Sequence, residues 1–151
     1  MTASSAPLAG LRVLDLTAVV LGPFCTQMLG DWGAEIVKIE NPDGGDDTRK
    51  GAGPRIGGPQ GESHFFMTYN RGKKSVALDV RRPETAGVLA RLVDRADVVV
   101  ENARPGTFER LGLGPEILCG RNPRLVMLRV TGFGQDGPYA GRPGFATMAE
   151  G

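Results

Sequence analysis

The segment Leu11–Glu40 constrains the fold more than any other part of the chain. It begins with an apolar run, Val13–Leu16, which is followed by a turn that contains Gly22 and Pro23. A helical pattern comes next and places four apolar residues on one face: Phe24, Met28, Leu29 and Trp32. A second strand pattern, Glu35–Glu40, completes a βαβ unit. In open parallel sheets, the loop after the first strand of such a unit lies where ligands bind.

Three further segments have the composition of strands: Ser75–Asp79, Asp97–Glu101 and Leu125–Thr131. A helix is predicted over Pro83–Arg95, because Pro83 and Glu84 suit a first helical turn. Its apolar stripe consists of Val88, Leu89, Leu92 and Val93. Two short helices, Thr107–Leu111 and Pro115–Arg121, lie between the last two strands. This alternation predicts an α/β fold with a doubly wound parallel sheet in one domain over residues 1–151.

Two glycine- and proline-rich segments show no periodicity. Asn41–Glu62 is almost wholly polar, and it is either a mobile surface loop or a functional cover for a site. Thr131–Gly151 leads into the apparent first turn of a helix, FATMAEG, which nothing caps. We therefore expect a chain that is truncated within a larger fold.

Composition excludes several classes of function. The net charge of +1 indicates neither a nucleic-acid partner nor a membrane surface. The N-terminus does not have the pattern of a signal peptide, and no run approaches the roughly 20 apolar residues that span a bilayer. Cys25 and Cys119 lack metal-site spacing, so we expect reduced, buried thiols, no metal site and a cytoplasmic location. The single histidine, His64, excludes nearly every histidine-dependent mechanism.

Charged residues at predicted strand ends are candidates for chemistry or binding. Asp15, Asp79 and Asp97 are there, and each is either an acid–base group or a cap or ion-pair partner. The arginines at the carboxyl ends of strands could pair with phosphates, although each alone could be a solvated charge: Arg81, Arg82, Arg104 and Arg110. The glycine fingerprints of dinucleotide and P-loop sites are absent. The turn AVVLGP is instead apolar and suits an uncharged group.

Several motifs, in order, resemble the family III CoA-transferases, which include carnitine, formyl-CoA and α-methylacyl-CoA enzymes. The resemblance covers Pro7–Gly151 and is carried by LGPFCTQMLGDWGAEIVKIE, FFMTYNRGKKSVALDV, ADVVVENARPGTFERLGLG and NPRLVMLRVTGFGQDGPY. It implies a Rossmann-like CoA-binding domain from the N-terminal part of a longer, two-domain chain. Two such chains interlock as a homodimer in the family.

The resemblance also implies site residues, with coenzyme A or acyl-CoA as substrate and no permanently bound cofactor. The positions that match CoA contacts are Asn41, Leu78, Asp79, Val80, Arg81, Asn102, Ala103, Arg104 and Arg110. Val20 and Leu21 match residues that line the reacting thioester. Formyl-CoA transferases have glutamine at the first of these two positions, so Val20 argues against formyl-CoA as substrate.

The family's nucleophile is an aspartate that attacks the acyl-CoA thioester and carries CoA to a free carboxylic acid. It lies in a Gly-Asp step beyond Gly151, and neither Asp15, Asp79 nor Asp136 matches that motif. We therefore expect no catalytic residue in this chain and no activity from it alone. The racemases of the family place an aspartate where Ala146 follows Phe145, which disfavours that branch.

Two functions remain open on the sequence. The chain is either part of a CoA-transferase that moves CoA between an acyl-CoA and a carboxylic acid, or a non-catalytic CoA-binding fragment. Sequence after Gly151 would separate them, because a Gly-Asp step and a second domain would indicate an enzyme.

Overall fold

The computed structural model describes residues 6–51 and 53–144 and has five parallel strands at its centre. The strands lie in the order β5-β2-β1-β6-β7. Their bounds are Arg12–Leu16 for β1, Glu35–Glu40 for β2, Lys74–Ala77 for β5, Val98–Glu101 for β6 and Val126–Arg129 for β7. The chain adds β2 and β5 on one side of β1 and then β6 and β7 on the other side. The order in which strands are added therefore reverses between β1 and β6.

Helices cover both faces of this sheet. The first, α1 (Leu21–Asp31), connects β1 and β2 on one face and packs against α2 (His64–Asn70). The other face is covered by α3 (Ala86–Val93), α4 (Thr107–Arg110) and α5 (Pro115–Arg121). These features confirm the predicted α/β fold with a doubly wound parallel sheet. No helix among the described residues is long and apolar enough to cross a membrane.

The strand and helix bounds follow the sequence patterns closely. Each strand of the five-stranded sheet is observed within two residues of its predicted bounds, and α5 has the predicted bounds. Pro83–Thr85 forms a 3-10 turn before α3, so that helix is shorter than predicted. Of its predicted stripe, Leu89 and Val93 are fully buried, whereas Val88 is exposed. The expectation for Val88 was wrong because this position faces away from the sheet.

The polar segment Asn41–Glu62 is partly ordered. It contains a 3-10 turn, Asp47–Arg49, and the first strand of a two-stranded ribbon formed by β3 (Arg55–Ile56) and β4 (Glu62–Ser63). The next element, α2, was not predicted. It begins after Ser63, whose hydroxyl accepts a hydrogen bond from the Phe66 N–H. The predicted final turn FATMAEG, with Phe145 and Ala146, lies outside the described residues.

The apolar face of α1 is on the outside of the described chain. Phe24, Met28 and Trp32 are about half exposed, whereas the helix buries Pro23, Thr26 and other small or polar residues against the sheet. Gly22 makes this close approach possible, since a Cβ there would lie 2.5 Å from Thr17. Of the predicted face, Phe24, Met28 and Trp32 therefore lie away from the sheet, whereas Leu29 is partly buried and packs against the sheet cluster.

Candidate functional site

A cleft of about 310 Å³ opens at the carboxyl edge of the sheet, beside the ends of β2 and β5 and next to α4. Its apolar lining comes from Leu16, Ile39, Leu78, Val80, Phe108 and Leu111, and its polar lining from Glu40, Asn41, Asp79, Arg81 and Thr107. An apolar wall with a few polar groups is typical of a small-molecule site. This edge is also where parallel α/β sheets bind ligands.

The cleft brings together five of the predicted CoA contacts: Asn41, Leu78, Asp79, Val80 and Arg81. The other predicted residues do not line it. Asn102, Ala103 and Arg104 follow β6, and Arg110 lies on α4, whose residues Thr107 and Phe108 form part of the cleft wall. Val20 and Leu21 lie at the start of α1. The predicted residues therefore share one edge of the sheet but occupy more than one part of it.

A second cleft, of about 410 Å³, lies at the opposite edge of the sheet and is lined by Arg12, Glu35, Leu92, Arg95 and their neighbours. It contains none of the predicted residues. Because it lies at the amino ends of the strands, it does not have the position that parallel sheets use for ligands. The smaller cleft is therefore the better candidate site.

Asp79 and Arg81 form an ion pair on the rim of the candidate cleft. The Arg81 Nε lies 2.8 Å from Oδ1 of Asp79, and its Nη2 lies 3.0 Å from Oδ2. Hydrogen bonds from the Arg81 side chain and backbone lower the pKa of Asp79 to about 2. The Arg81 side chain is 61% exposed, so its guanidinium is accessible to an anion as well as to Asp79.

A buried ion pair lies behind the turn that follows β1. Lys38, on β2, places its Nζ 3.0 Å from Oδ2 of Asp46, and both side chains are 1% exposed. The same Nζ donates a hydrogen bond of 2.7 Å to the Thr17 carbonyl. Asp46 also accepts from the Thr48 N–H at 2.9 Å. Burial raises the pKa of Asp46, but the Thr48 N–H and the charge of Lys38 outweigh it and lower that pKa overall.

A second acidic group, Glu40 at the end of β2, anchors the polar segment. Arg49 donates to its carboxylate through Nε at 2.7 Å and Nη2 at 2.8 Å, and the Ser75 hydroxyl donates at 2.6 Å. Burial opposes ionisation, but the hydrogen bonds from Arg49, Ser75 and the Asp46 N–H lower the pKa of Glu40 to about 2. The first part of Asn41–Glu62 is therefore tied to the sheet by charged hydrogen bonds, which argues against a mobile loop there; of the described residues in this segment, only Asn41 lines the cleft.

The strand-end aspartates all have structural partners. Asp15 is fully buried, lies 2.9 Å from the Lys73 Nζ, and accepts hydrogen bonds from the hydroxyls of Thr17 and Thr26. Asp97 accepts from the Arg12 N–H at 2.9 Å. Together with the Asp79 ion pair, these contacts match the cap and ion-pair interpretation of the three residues.

The two cysteines are free, and both are partly rather than fully buried as expected. Burial and the nearby Asp15 carboxylate raise the pKa of the Cys25 thiol, with Lys73 opposing. A thiol with a raised pKa is a poor nucleophile. Among the described residues, the cleft therefore offers polar and apolar groups for binding.

The turn after β1 is held by two side chains that are distant in sequence. Val19 has a φ of 73°, a left-handed conformation that is rare for a β-branched residue. The Asn102 amide accepts from the Ala18 N–H at 2.9 Å and donates to the Ala18 carbonyl at 2.8 Å. Both carboxylate oxygens of Asp46 lie 3.3 Å from the Val19 nitrogen.

Sequence reasoning did not find Lys38, Asp46 and Lys73. One signal was available, because Lys38 interrupts a strand pattern whose neighbours are Val37 and Ile39, and a charge at such a position needs a buried partner. The identity of that partner could not be read from spacing. The acidic residues that follow β2 include Asp43, Asp46 and Asp47, and only the fold selects Asp46.

Comparisons with known proteins show the family of the chain. Residues 8–151 match the family model described as CoA-transferase family III. The beta subunit of succinyl-CoA–L-malate CoA-transferase from Chloroflexus aurantiacus is 47% identical over 148 residues, which are 98% of this chain and 36% of that protein. Succinate–glutarate CoA-transferase from Agrobacterium fabrum is 43% identical over 96% of this chain and 37% of its own length.

A solved structure is also similar. The crystal structure of a CAIB/BAIF family protein from Brucella suis has 40% sequence identity and a TM-score of 0.91, over 97% of this chain and 39% of that one. The five-stranded parallel sheet with helices on both faces matches the fold of that protein. The chain belongs to CoA-transferase family III. It spans about a third of the length of the curated relatives that it matches.

Proposed function

We propose that this chain forms the CoA-binding part of a CoA-transferase that moves CoA between an acyl-CoA and a free carboxylic acid. The observation that carries the proposal is the carboxyl-edge cleft, which gathers five of the residues that the family resemblance assigns to CoA contacts. Its apolar wall suits a flat nucleotide base. The exposed Arg81 on its rim suits a phosphate.

Four of the remaining predicted residues have a consistent role in this proposal. Arg104 and Arg110 are exposed at the same edge, beyond the ends of β6 and in α4, and they would pair with phosphates outside the cleft. Val20 and Leu21, at the start of α1, would line the apolar path of the thioester. Both arginines and both apolar residues lie at the carboxyl edge, so one extended ligand is a reasonable occupant.

The transfer itself would proceed through an aspartyl intermediate. The carboxylate of the family's aspartate attacks the thioester carbonyl and releases CoA thiolate, leaving a mixed anhydride. The thiolate then attacks the aspartyl carbonyl of the anhydride, which forms an aspartyl-CoA thioester and frees the donor acid. An acceptor carboxylate reverses both steps, so that it leaves as the new acyl-CoA and the aspartate is regenerated. Asp15 and Asp79 have internal ion pairs and do not suit this role. We therefore propose that residues 1–151 alone bind CoA without transferring it.

Calorimetric titration with coenzyme A tests the binding role. Arg81→Ala and Arg104→Ala should each weaken binding by about 1–3 kcal/mol if the guanidiniums hold phosphates. Arg124→Ala is the matched control, because Arg124 is exposed just before β7, at the opposite edge, and should leave the affinity unchanged. Unchanged affinity in all three variants would show that Arg81 and Arg104 are solvated surface charges that do not contact CoA.

A second assay separates an enzyme from a binding fragment. Two relatives are named for transfer between succinate and L-malate or glutarate, so radiolabelled succinyl-CoA with either acid is a suitable probe. The 151-residue chain should bind CoA and produce no labelled exchange, whereas a longer gene product with the aspartate should turn over. Turnover by the short chain would contradict the proposed location of the nucleophile.

We also propose that the complete protein is a homodimer, as the family resemblance implies. The exposed apolar face of α1 continues onto Phe65 and Met67 of α2, which are also partly exposed. Phe24 and Phe65 both contact the Tyr69 ring edge-to-face, so the surface is continuous between the helices. A contiguous apolar patch of this kind is typical of a protein interface.

We also propose a cytoplasmic location for the protein, which the two free thiols support.

A further inference from the structure

We propose that Asn102 and Asp46 are positioning residues that hold the turn from Thr17 to Val20 in the conformation in which Val19 has a positive φ. By doing so they would fix the place of Val20 and Leu21 beside the reacting thioester. This inference rests on the proposed function, and it gives Asn102 a role other than the direct CoA contact that the resemblance implies.

The turn needs such support because of Val19. Its φ of 73° is disfavoured for an L-residue with a branched Cβ, since the side chain crowds the backbone there. A residue keeps such a conformation only when its surroundings impose it. Val19 is 44% exposed, so packing around its own side chain is not what imposes it. Hydrogen bonds to the backbone must do so.

Asn102 supplies two of these hydrogen bonds. It is the first residue after β6, the strand next to β1, and its amide bonds to both the N–H and the carbonyl of Ala18. The two contacts together fix the plane of the amide and the direction of the Ala18 peptide groups. Its side chain is therefore oriented by the turn rather than toward the cleft, which it does not line.

Asp46 supplies the support from the other side. Its carboxylate faces the Val19 N–H and is itself held by Lys38 and Thr48. Lys38 also bonds to the Thr17 carbonyl, so one buried ammonium connects the start of the turn to the carboxylate that holds its centre. Three consecutive residues, Thr17, Ala18 and Val19, are thus bonded to side chains from β2, the loop after β2 and the end of β6.

The location of this support is informative. The turn lies between β1 and β6, where the strand order reverses, and this is the place at which open α/β sheets bind ligands. Its last residue precedes α1. The turn is so tight that Gly22 of α1 lies against the Thr17 side chain, where a Cβ would not fit. A strained, doubly supported turn at a binding edge is the arrangement expected of a preorganised site.

Amide hydrogen exchange tests whether the two side chains hold the turn. In Asn102→Ala, exchange of the Ala18 amide should accelerate at least about tenfold, and in Asp46→Ala the Val19 amide should respond in the same way. Asn122→Ala is the matched control, because Asn122 is a buried asparagine that bonds to two backbone carbonyls at the opposite edge. It should leave both turn amides protected. Unchanged exchange at Ala18 in Asn102→Ala would overturn the proposal.

Kinetics test whether the turn matters for transfer. In the full-length gene product, with succinyl-CoA as donor, Asn102→Ala should lower kcat about tenfold and change KM less. Asn102→Asp, which still accepts from the Ala18 N–H but cannot donate to its carbonyl, should lie between. Val19→Gly should restore part of the loss in Asn102→Ala, because glycine adopts a positive φ without strain.

The outcomes separate the inference from the proposed function. Rescue by Val19→Gly supports the positioning role, whereas a loss of CoA affinity that Val19→Gly does not restore would show a direct contact and overturn it. Normal transfer in Asn102→Ala would overturn the inference and leave the proposed function intact. A wild-type protein that neither binds CoA nor transfers it would overturn the proposed function and, with it, the part played by Val20 and Leu21.

Discussion

The two faces of the sheet are stabilised in different ways. On the face covered by α3, α4 and α5, a large apolar cluster forms around the strands; it contains Leu14, Ile39, Leu89, Val93, Val99, Phe108 and Leu118. On the face covered by α1, the buried apolar cluster consists of Val13, Ile36 and Val100. One face therefore resembles an ordinary core, and the other is apolar over only part of its area.

The rest of the α1 face is ionic. Asp15 lies two residues after Val13 on β1, and Lys38 and Glu40 continue the same face of β2 beyond Ile36. Residues two apart along a strand lie on the same face. On this face, the charged residues therefore follow the apolar ones and lie nearer the carboxyl ends of the strands. Apolar burial therefore stabilises the sheet without direction, whereas the ion pairs fix particular loops at the binding edge.

The largest effect should come from breaking the ionic part of the α1 face. Asp15→Ala leaves the buried Lys73 ammonium without its carboxylate and should lower the free energy of unfolding by about 4 kcal/mol. Urea denaturation of both proteins measures this. Asp15→Asn, which keeps one of the two acceptor oxygens but not the charge, is the control and should lose less. A loss below about 1 kcal/mol in Asp15→Ala would show that the pair is not needed for stability.

A slightly smaller effect should come from the apolar face. Leu89→Ala opens a cavity under α3 and should cost about 3 kcal/mol, because Leu89 is 2% exposed. Val88→Ala, one residue earlier and exposed, should cost less than about 1 kcal/mol. Equal losses in the two variants, measured by the same denaturation, would mean that α3 packs through a different face.

Acid should weaken the α1 face through Glu40. The pKa of Glu40 is about 2 in the folded protein against an ordinary value of 4.5, so its contribution is fully present above pH 4.5 and is lost as the pH falls toward 2. We expect about 3 kcal/mol less stability at the acid end from this residue. Glu40→Gln should be less stable at neutral pH and show a flatter acid profile. If the stability of Glu40→Gln depends on pH in the same way as that of the wild type, Glu40 is not the cause of the loss of stability in acid.

The smallest effect on stability should come from the outer face of α1. Trp32→Ser should change the free energy of unfolding of the monomer by less than about 0.5 kcal/mol, since Trp32 is 52% exposed. The same substitution should weaken dimerisation, which light scattering over a concentration series would detect. Ile117→Ser, an exposed apolar residue on α5, is the control on the other face. Equal dimerisation in all three proteins would exclude α1 from the interface.

The elements of the fold were more predictable than the contacts of the site. Apolar periodicity placed β1, β2 and β6 because a strand's pattern is local to a few residues. The arginines at the carboxyl edge were found for the same reason, since a strand end is visible in the sequence. The helix α2 was missed because its pattern follows an aperiodic glycine-rich segment.

The buried charges were out of reach for a different reason. Asp15 pairs with Lys73 across 58 residues of sequence, and Asn102 holds Ala18 across 84. Neither separation has a period that predicts contact. The predicted role of Asn102 as a CoA contact was carried by resemblance alone, and it is still untested.

Local sequence patterns are enough to predict that the chain forms alternating strands and helices and that polar groups follow the strands on one edge. These properties depend on neighbouring residues. The tertiary structure decided which face of α1 is buried, which acidic residue pairs with Lys38, and why Val19 keeps a left-handed backbone. The physical reason is that burial and charge pairing depend on the groups that surround a residue in space, and only the folded chain brings those groups together.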